Sequence, residues 1–107
     1  MPRSDDGETP LVRAIDRLVH EPARLVVLVH LSVVESADAT FLLNRTRLTW
    51  GNLASHLSKL EDAGYVAVEK RFVDRKPKTL LSLTEQGRAA LHAYRELIAG
   101  LLDAIPR

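Results

Sequence analysis

The stretch that decides the fold of this chain is Leu48–Lys78, LTWGNLASHLSKLEDAGYVAVEKRFVDRKPK. Thr49 is a good helix N-cap, because its hydroxyl can accept a hydrogen bond from a free backbone N–H of the first turn. Gly64 lies where a left-handed C-cap is usual. Between them, apolar residues recur at the spacing of one buried helical face, namely Leu53, Ala54, Leu57 and Leu60. The stretch therefore predicts a capped amphipathic helix over Thr49–Ala63.

A short β-hairpin is predicted after this helix. Tyr65–Phe72 is rich in β-prone residues, and Leu80–Leu83 is a second strand candidate. The connection between them, residues 73–79, is basic and contains Pro77, which would stiffen it by fixing one backbone dihedral. A helix able to enter a groove, beside a hairpin with a cationic tip, indicates a DNA-binding unit.

Four further helices complete the predicted order ααααββα, mainly α with one small β-hairpin. A first helix opens at Pro10 or Leu11, with Leu11, Ile15 and Leu18 on one face. A second, over Pro22–Val34, is apolar on most sides and should be the central core helix. A short third helix is capped by Asp38 and carries Phe41, Leu42 and Leu43, and a last one, over Glu85–Ala104, is capped by Thr84.

Length and composition fit one small domain. The 107 residues are enough for one core, which we place over residues 11–107 after a disordered N-terminal tail over residues 1–10. The absence of Cys excludes disulfides and thiolate metal sites. Residues 1–10 do not resemble a signal peptide, and the longest aliphatic run, Leu25–Val29, is too short to span a membrane. We expect a cytoplasmic protein without a cofactor and without a membrane partner.

The charge is concentrated in one part of the chain. Residues 1–43 carry a net charge of −3, residues 44–79 a net of +4, and residues 80–107 a net of zero. The positive excess therefore lies on the helix-and-hairpin unit, as expected for a surface that meets a phosphate backbone. The alternative is that these cations only keep a solvated hairpin edge from pairing with another chain.

The last helix carries a broad apolar stripe with alternating steps of three and four residues, the spacing of a short a/d pattern. Such a stripe could pack on the body of the domain. Together with the first helix it more plausibly builds a homodimer interface. That predicted interface consists of Leu11, Ile15, Leu18, Leu91, Tyr94, Ile98, Leu101, Leu102 and Ile105.

Four motifs, in this order, resemble those of ArsR-like and MarR-like winged helix-turn-helix regulators. His20–Leu25 resembles the entry to their second helix, and Leu48–Val66 looks like their recognition helix. Arg75–Thr79 looks like the wing, and Leu83–Arg88 looks like the start of the helix after it. The best match is the compact MarR-like group. This resemblance implies a dimeric bacterial transcription factor, usually a repressor, with double-stranded DNA as its partner.

Two positions depart from that family pattern. Relatives commonly have Gly in the turn before the recognition helix, where this chain has Arg47, and at the wing tip, where it has Asp74. Asp tolerates the left-handed conformation better than Arg does. We expect Arg47 either to reshape the turn or to add a phosphate contact.

The predicted DNA-binding residues follow from this placement. The recognition helix contributes Thr49, Trp50, Gly51, Asn52, Ser55, His56 and Lys59, the wing contributes Arg71, Arg75, Lys76 and Lys78, and the turn contributes Arg47.

Alternatives remain open for several of these residues. Asn52 could reach back to the Thr49 backbone as a helix cap, and Lys59 could pair with Asp62. Trp50 is expected to be partly buried rather than to stack on bases. The four histidines lie on different elements, which argues against a zinc site, and His30 is expected to be packed and hydrogen-bonded on the core helix.

The function predicted is that of a homodimeric DNA-binding repressor. The alternative is a winged-helix interaction module that has lost specific DNA binding. An enzyme is disfavoured, because no nucleophile–base pair, paired carboxylates or phosphate-binding Gly loop is present. The resemblance also implies a small-molecule effector of unknown identity, held between the dimer helices and the DNA-binding lobe. In so short a chain we expect that pocket to be small or absent.

Overall fold

The computed structural model describes residues 9–107, so residues 1–8 of the predicted tail lie outside the described residues. The predicted mainly helical fold with a β-hairpin is confirmed. A two-residue strand that the sequence did not predict joins the hairpin, giving an antiparallel sheet of order β1-β3-β2. The elements are α1 (Pro10–Ala14), α2 (Pro22–Ser32), β1 (Ala37–Asp38), α3 (Ala39–Thr46), α4 (Trp50–Asp62), β2 (Val66–Val73), β3 (Lys76–Leu83) and α5 (Glu85–Asp103).

Helix α1 is shorter than predicted. Thr9 caps it, but it ends at Ala14, because Ile15 is extended and the chain then turns around Asp16. Asp16 Oδ1 accepts hydrogen bonds from the backbone N–H groups of Leu18 and Val19, at 2.9 and 3.2 Å. An Asp side chain that satisfies the backbone in this way favours a turn over a helix. Ile15 and Leu18 therefore do not share a helical face with Leu11.

Helix α2 is the central helix, although only one side of it is enclosed. Val27, Leu28 and Leu31 are fully buried, whereas Val26 and Val29 are exposed on the opposite side. The predicted central position of α2 is thus confirmed, with part of its apolar surface left open in this protomer. The buried core consists of Val19, Val27, Leu28, Leu31, Ala37, Ala39, Leu42, Leu53, Leu60, Val66, Leu81 and Tyr94.

The turn between α3 and α4 uses a left-handed residue. Asp38 caps α3 by accepting from the Thr40 N–H at 2.7 Å, as predicted. Arg47 then ends α3 with φ 62° and ψ 20°, the conformation for which relatives commonly use Gly. Arg47 therefore carries the strain that a Cβ brings to this region of φ.

The hairpin is longer than predicted, and its tip is shorter. Strand β3 begins at Lys76 rather than Leu80, so only Asp74 and Arg75 form the tip, with φ 52° and 66°. Two successive positive φ values match a type I′ turn, whose twist suits a two-residue hairpin. Pro77 lies within β3 opposite Phe72 and does not stiffen the tip. Val73 and Lys76 close the turn as a hydrogen-bonded pair, so position 77 needs no N–H toward β2.

The start of α5 is joined to the end of α4. Gly64 has φ +81°, as its predicted C-cap position requires. The Thr84 hydroxyl accepts from the Gly87 N–H at 2.9 Å and donates to the Gly64 carbonyl at 2.6 Å. A Cβ on Gly87 would lie 2.1 Å from the Tyr65 carbonyl oxygen. Only Gly allows the two segments to approach this closely, and the contact orients α5 against α4 and the hairpin.

The C-terminal half of α5 extends beyond the core. The radius of gyration is 16.3 Å, compared with about 13 Å expected for a compact domain of this length. Leu91 and Ile98 pack on the core, whereas Leu102 is exposed. The helix ends at Asp103, so Ile105 lies beyond it and does not continue the predicted a/d pattern as a helical residue.

Candidate nucleic-acid interface

One face of α4 is polar and open. Gly51, Asn52, Ser55 and Lys59 are exposed, while Leu53 and Leu60 are fully buried on the opposite side. This division follows the predicted amphipathic pattern, except that Ala54 is exposed rather than on the buried face. The open face presents an amide, a hydroxyl and an ammonium group, which can all bond to base edges or phosphates.

Asn52 does not act as the reverse half of a capping box. The Thr49 hydroxyl accepts from the Asn52 backbone N–H at 3.1 Å, so Thr49 is the N-cap. Within residues 9–107, no hydrogen bond is made by the Asn52 side-chain amide. Lys59 likewise has no ion pair with Asp62 in this part of the chain. Both side chains are therefore available to a partner.

The exposure of the Trp50 side chain differs from the prediction. Its side chain was expected to be partly buried near Leu57, yet it is 55% exposed at the first residue of α4. Gly51 and Asn52, which follow it, are exposed as well, whereas Leu53 is the first residue of the helix to be buried. An exposed indole beside Asn52 adds a flat apolar surface and one N–H donor to the open end of the helix.

His56 is half-buried and contacts Arg24, a residue that was not among the predicted DNA-binding residues. Arg24 Nη1 lies 3.2 Å from His56 Nδ1, and Arg24 Nε donates to the Leu18 carbonyl at 2.7 Å. Glu21 accepts from the Arg24 backbone N–H at 2.8 Å, which lowers the pKa of this carboxyl group, helped by the charge of the Arg24 guanidinium. The contact joins residues 32 positions apart, so no local sequence pattern indicates it.

The wing residues differ in what they contact. Arg71 pairs with Glu69 at 2.8 Å, with both side chains exposed. Arg75, in the turn, and Lys76, the first residue of β3, are exposed and have no ion pair within residues 9–107. Phe72, one residue pair behind the turn, is 76% exposed and lies opposite Pro77. The tip therefore combines two free cations with one apolar pair.

Lys78 has a structural role that was not predicted. Its ammonium group lies 3.1 Å from Asp38 Oδ2 and thus joins β3 to the N-terminus of α3. The Thr40 backbone N–H and then Lys78 lower the pKa of Asp38. Lys78 was expected at the wing tip with Arg75 and Lys76, but it is half-buried along the strand.

The cations around the α3–α4 turn also divide into two kinds. Arg47 is exposed directly before α4, as a phosphate contact would require. Arg45 instead lies over the Phe41 ring, with its guanidinium carbon 5.0 Å from the ring centroid. This arrangement covers an exposed aromatic and holds the guanidinium against the helix.

The predicted dimer residues do not form one exposed surface. Tyr94 is only 9% exposed, and its hydroxyl lies 2.7 Å from His20 Nδ1, so it belongs to the protomer core. Ile15, Leu18, Leu91 and Ile98 are partly buried against that core, and Leu101 is half-buried. Leu11, Leu102 and Ile105 are exposed. The exposed members of the predicted interface therefore lie on α1, near the C-terminal end of α5 and just beyond it.

A groove of about 530 Å³ runs between α2 and α5. Its floor is apolar, with Leu25, Val29 and Ile98, and Arg88 and Arg95 are among its lining residues. The effector pocket between the dimer helices and the DNA-binding lobe, expected to be small or absent, stays a prediction.

Metal sites and membrane-spanning helices were also sought in the described residues of the chain. No group of three or more His, Cys, Asp or Glu side chains within residues 9–107 could hold a metal ion. His30 is hydrogen-bonded through Nδ1 to the Val26 carbonyl at 2.8 Å, as expected, though it is only half-buried. In the same residues, no helix has the length and apolar character needed to cross a membrane.

Comparison with known proteins places this geometry in a family. The family model described as a winged helix DNA-binding domain matches residues 23–102. Uncharacterized protein MJ0432 of Methanocaldococcus jannaschii is 32% identical over 78 residues, which cover 73% of this chain and 85% of that protein. A transcriptional regulator homologue from Pyrococcus horikoshii is similar in structure, with a TM-score of 0.82 and 26% identity, over 89% of this chain and 96% of that one.

A DNA-bound structure shares the fold. The match to a mutant MarR of E. coli complexed with operator DNA has a TM-score of 0.68 and 21% identity, over 87% of this chain and 71% of that one. The extent of the family match, from α2 to the end of α5, includes the recognition helix and the complete wing. The chain belongs to the winged helix DNA-binding domain family and shares the fold of MarR.

Proposed function

We propose that this chain is a homodimeric transcriptional repressor that binds an inverted repeat in double-stranded DNA. The observation that carries the proposal is the open face of α4, where the Asn52 amide has no protein partner in residues 9–107 while the apolar side is enclosed. An α-helix fits into the major groove of DNA, and an amide near its N-terminus that has no protein partner can bond to base edges there.

The wing supports the same function. Arg75 and Lys76 lie at the end of a hairpin that extends from the domain, and neither is engaged in an ion pair in residues 9–107. Arg47 adds a third exposed cation before α4. In this proposal α4 enters the major groove, while the wing follows the phosphates or a narrow minor groove, for which Arg is well suited. We expect the operator to be A/T-leaning, because the open face of α4 carries Asn52 and no Arg.

The exposed apolar residues support dimerisation. Leu11 on α1 and Leu102 near the end of α5 are uncovered in the single chain, and association of two copies would remove them from water. A two-fold dimer would place two α4 helices on half-sites about one helical turn, ~10–11 bp, apart. Binding of the dimer to such a site in a promoter would block transcription. In this proposal the protein acts in the cytoplasm, where it meets the DNA.

The experiment that tests this function is selection of duplexes from random sequence by the full chain, followed by titration of the selected duplex and a scrambled one. We expect an A/T-leaning inverted repeat, bound at least ~10³-fold more tightly than the scrambled duplex. Transcription in vitro from a promoter that contains the selected site should fall as protein is added. An interaction module without specific DNA binding would enrich no duplex, and that outcome would favour the alternative function.

A further inference from the structure

The contact between Arg24 and His56 determines which imidazole nitrogen carries the proton. Arg24 Nη1 lies 3.2 Å from His56 Nδ1. A guanidinium group only donates hydrogen bonds, so Nδ1 must accept. The proton of the neutral imidazole is then on Nε2, because one nitrogen of the ring accepts and the other donates.

The protonated nitrogen is open to a partner. Among the side-chain hydrogen bonds of residues 9–107, the His56 ring makes only the bond to Arg24, which uses Nδ1. No side-chain nitrogen or oxygen that lacks a partner is buried in those residues, although His56 as a whole is half-buried. Nε2 therefore reaches solvent. His56 follows Asn52 by four positions, so the two side chains are neighbours on the surface of α4.

Arg24 is itself held in place from outside α4. Its Nε donates to the Leu18 carbonyl at 2.7 Å, and its backbone N–H is bonded to Glu21. Leu18 belongs to the turn that Asp16 organises, so the guanidinium is held by a backbone carbonyl of that turn. The tautomer of the His56 imidazole is consequently set by α2 and the turn before it.

We propose that Arg24 is a positioning residue that presents His56 Nε2–H to a hydrogen-bond acceptor on DNA. This inference rests on the proposed function and names a further contact of the same interface. The acceptor is a phosphate oxygen or a base-edge acceptor such as purine N7, guanine O6 or thymine O4. The amino groups of adenine and cytosine are excluded, because they donate.

The test uses three substitutions in the full chain and the duplex that the wild-type protein selects from random DNA. His56→Asn keeps an acceptor for Arg24 but has no group at the Nε2 position. His56→Gln places a rotatable amide near that position, where it can donate without help from Arg24. Arg24→Met removes the donor and keeps the aliphatic stem. We expect His56→Asn and Arg24→Met each to weaken binding roughly 10-fold, and Arg24→Met to cost less than about 3-fold when His56→Gln is present.

The control is Arg88→Met, which also removes a guanidinium bond to a backbone carbonyl, that of Ser32, but joins α5 to α2 and makes no contact with His56. It should leave affinity unchanged, and thermal unfolding should show that every variant is folded. Substituted duplexes then identify the acceptor. If a methylphosphonate weakens binding of the wild type but not of His56→Asn, the acceptor is a phosphate. If a 7-deazapurine has this effect, the acceptor is a base.

Two results would overturn the inference. If Arg24→Met weakens binding equally in both backgrounds and flattens the salt dependence, Arg24 binds phosphate directly. If His56→Asn binds like the wild type, Nε2–H contacts nothing on the DNA. A wild-type protein that enriches no duplex would instead contradict the proposed function, and this inference with it.

Discussion

The Tyr65 hydroxyl donates a hydrogen bond to Asp16 Oδ2 at 2.5 Å, across 49 positions of sequence. This bond joins the connection after α4 to the turn after α1, while the other oxygen of Asp16 organises that turn. The hydrogen bond to Asp16, followed by burial, raises the pKa of Tyr65 to about 12 from 10.0. The structure thus ties the recognition helix and the N-terminal segment through one carboxylate.

The first prediction concerns the stability that this bond provides. Because the folded-state pKa of Tyr65 is raised, its contribution is complete below pH 10 and is lost as the pH rises toward about 12. Tyr65→Phe should lower the free energy of unfolding by about 1 kcal/mol at neutral pH. It should also show a smaller fall in stability between pH 10 and 12 than the wild type does. Denaturant unfolding at several pH values measures both effects, with Tyr94→Phe, which keeps the bond between Tyr65 and Asp16, as the control.

The second prediction concerns the strained turn before α4. Arg47 has φ 62°, where a Cβ is unfavourable, so Arg47→Gly should stabilise the fold by about 0.5–1 kcal/mol after the extra freedom of Gly in the unfolded chain is counted. Arg47→Ala removes the same charge but keeps a Cβ, so it should give no such gain. Both variants should bind DNA more weakly if Arg47 contacts a phosphate. Equal melting temperatures for the two variants would show that the turn carries no backbone strain.

The third prediction concerns the wing tip. Replacing Arg75 and Lys76 with Ala should weaken binding to the selected duplex and to random duplexes alike, because phosphate contacts carry no sequence information. The slope of log affinity against log salt concentration should be near −7 for about eight phosphate contacts per dimer. In this variant the magnitude of the slope should fall by roughly 3–4. Arg95→Ala, an exposed Arg on α5, is the matched control. An unchanged slope would mean that the wing points away from the DNA.

The fourth prediction concerns base recognition. Asn52→Ala should cost about 1–3 kcal/mol of binding free energy on the selected duplex and relax the preference at one symmetric pair of positions. Repeating the selection with the variant measures this relaxation. Because the Asn52 side chain makes no hydrogen bond within residues 9–107, thermal stability should hardly change. Retention of the full preference, or G/C-rich selected half-sites, would contradict the role of Asn52 as an adenine reader.

The fifth prediction concerns the dimer. Leu102 and Ile105 are 59% and 61% exposed, so changing both to Asp should leave the protomer folded while placing unpaired charges in the interface. Sedimentation should then show a monomer with weak operator binding. Ile98 is less suitable for this test, because it packs on the core. Val33→Asp, at an exposed apolar position after α2, is the control that should remain dimeric, and a dimeric double variant would place the interface elsewhere.

The parts of the fold that the sequence predicted depend on neighbours within a few positions. Thr49, Asp38 and Thr84 each cap the expected helix, because a capping hydroxyl or carboxylate bonds to an N–H only two or three residues away. Gly64 has the expected positive φ for the same local reason. The spacing of Leu53 and Leu60 determined which face of α4 is buried, and hence which residues remain for DNA.

Other features were decided only by the tertiary structure. Tyr94 fits a dimer stripe by periodicity, but His20, 74 positions away, bonds to its hydroxyl within the protomer. The bond between Arg24 and His56 and the ion pair between Lys78 and Asp38 likewise join separate elements. A periodic pattern states which side chains share a face, but the groups that pack against that face come from distant segments. The orientation of His56 and the role of Lys78 therefore follow from three-dimensional packing alone.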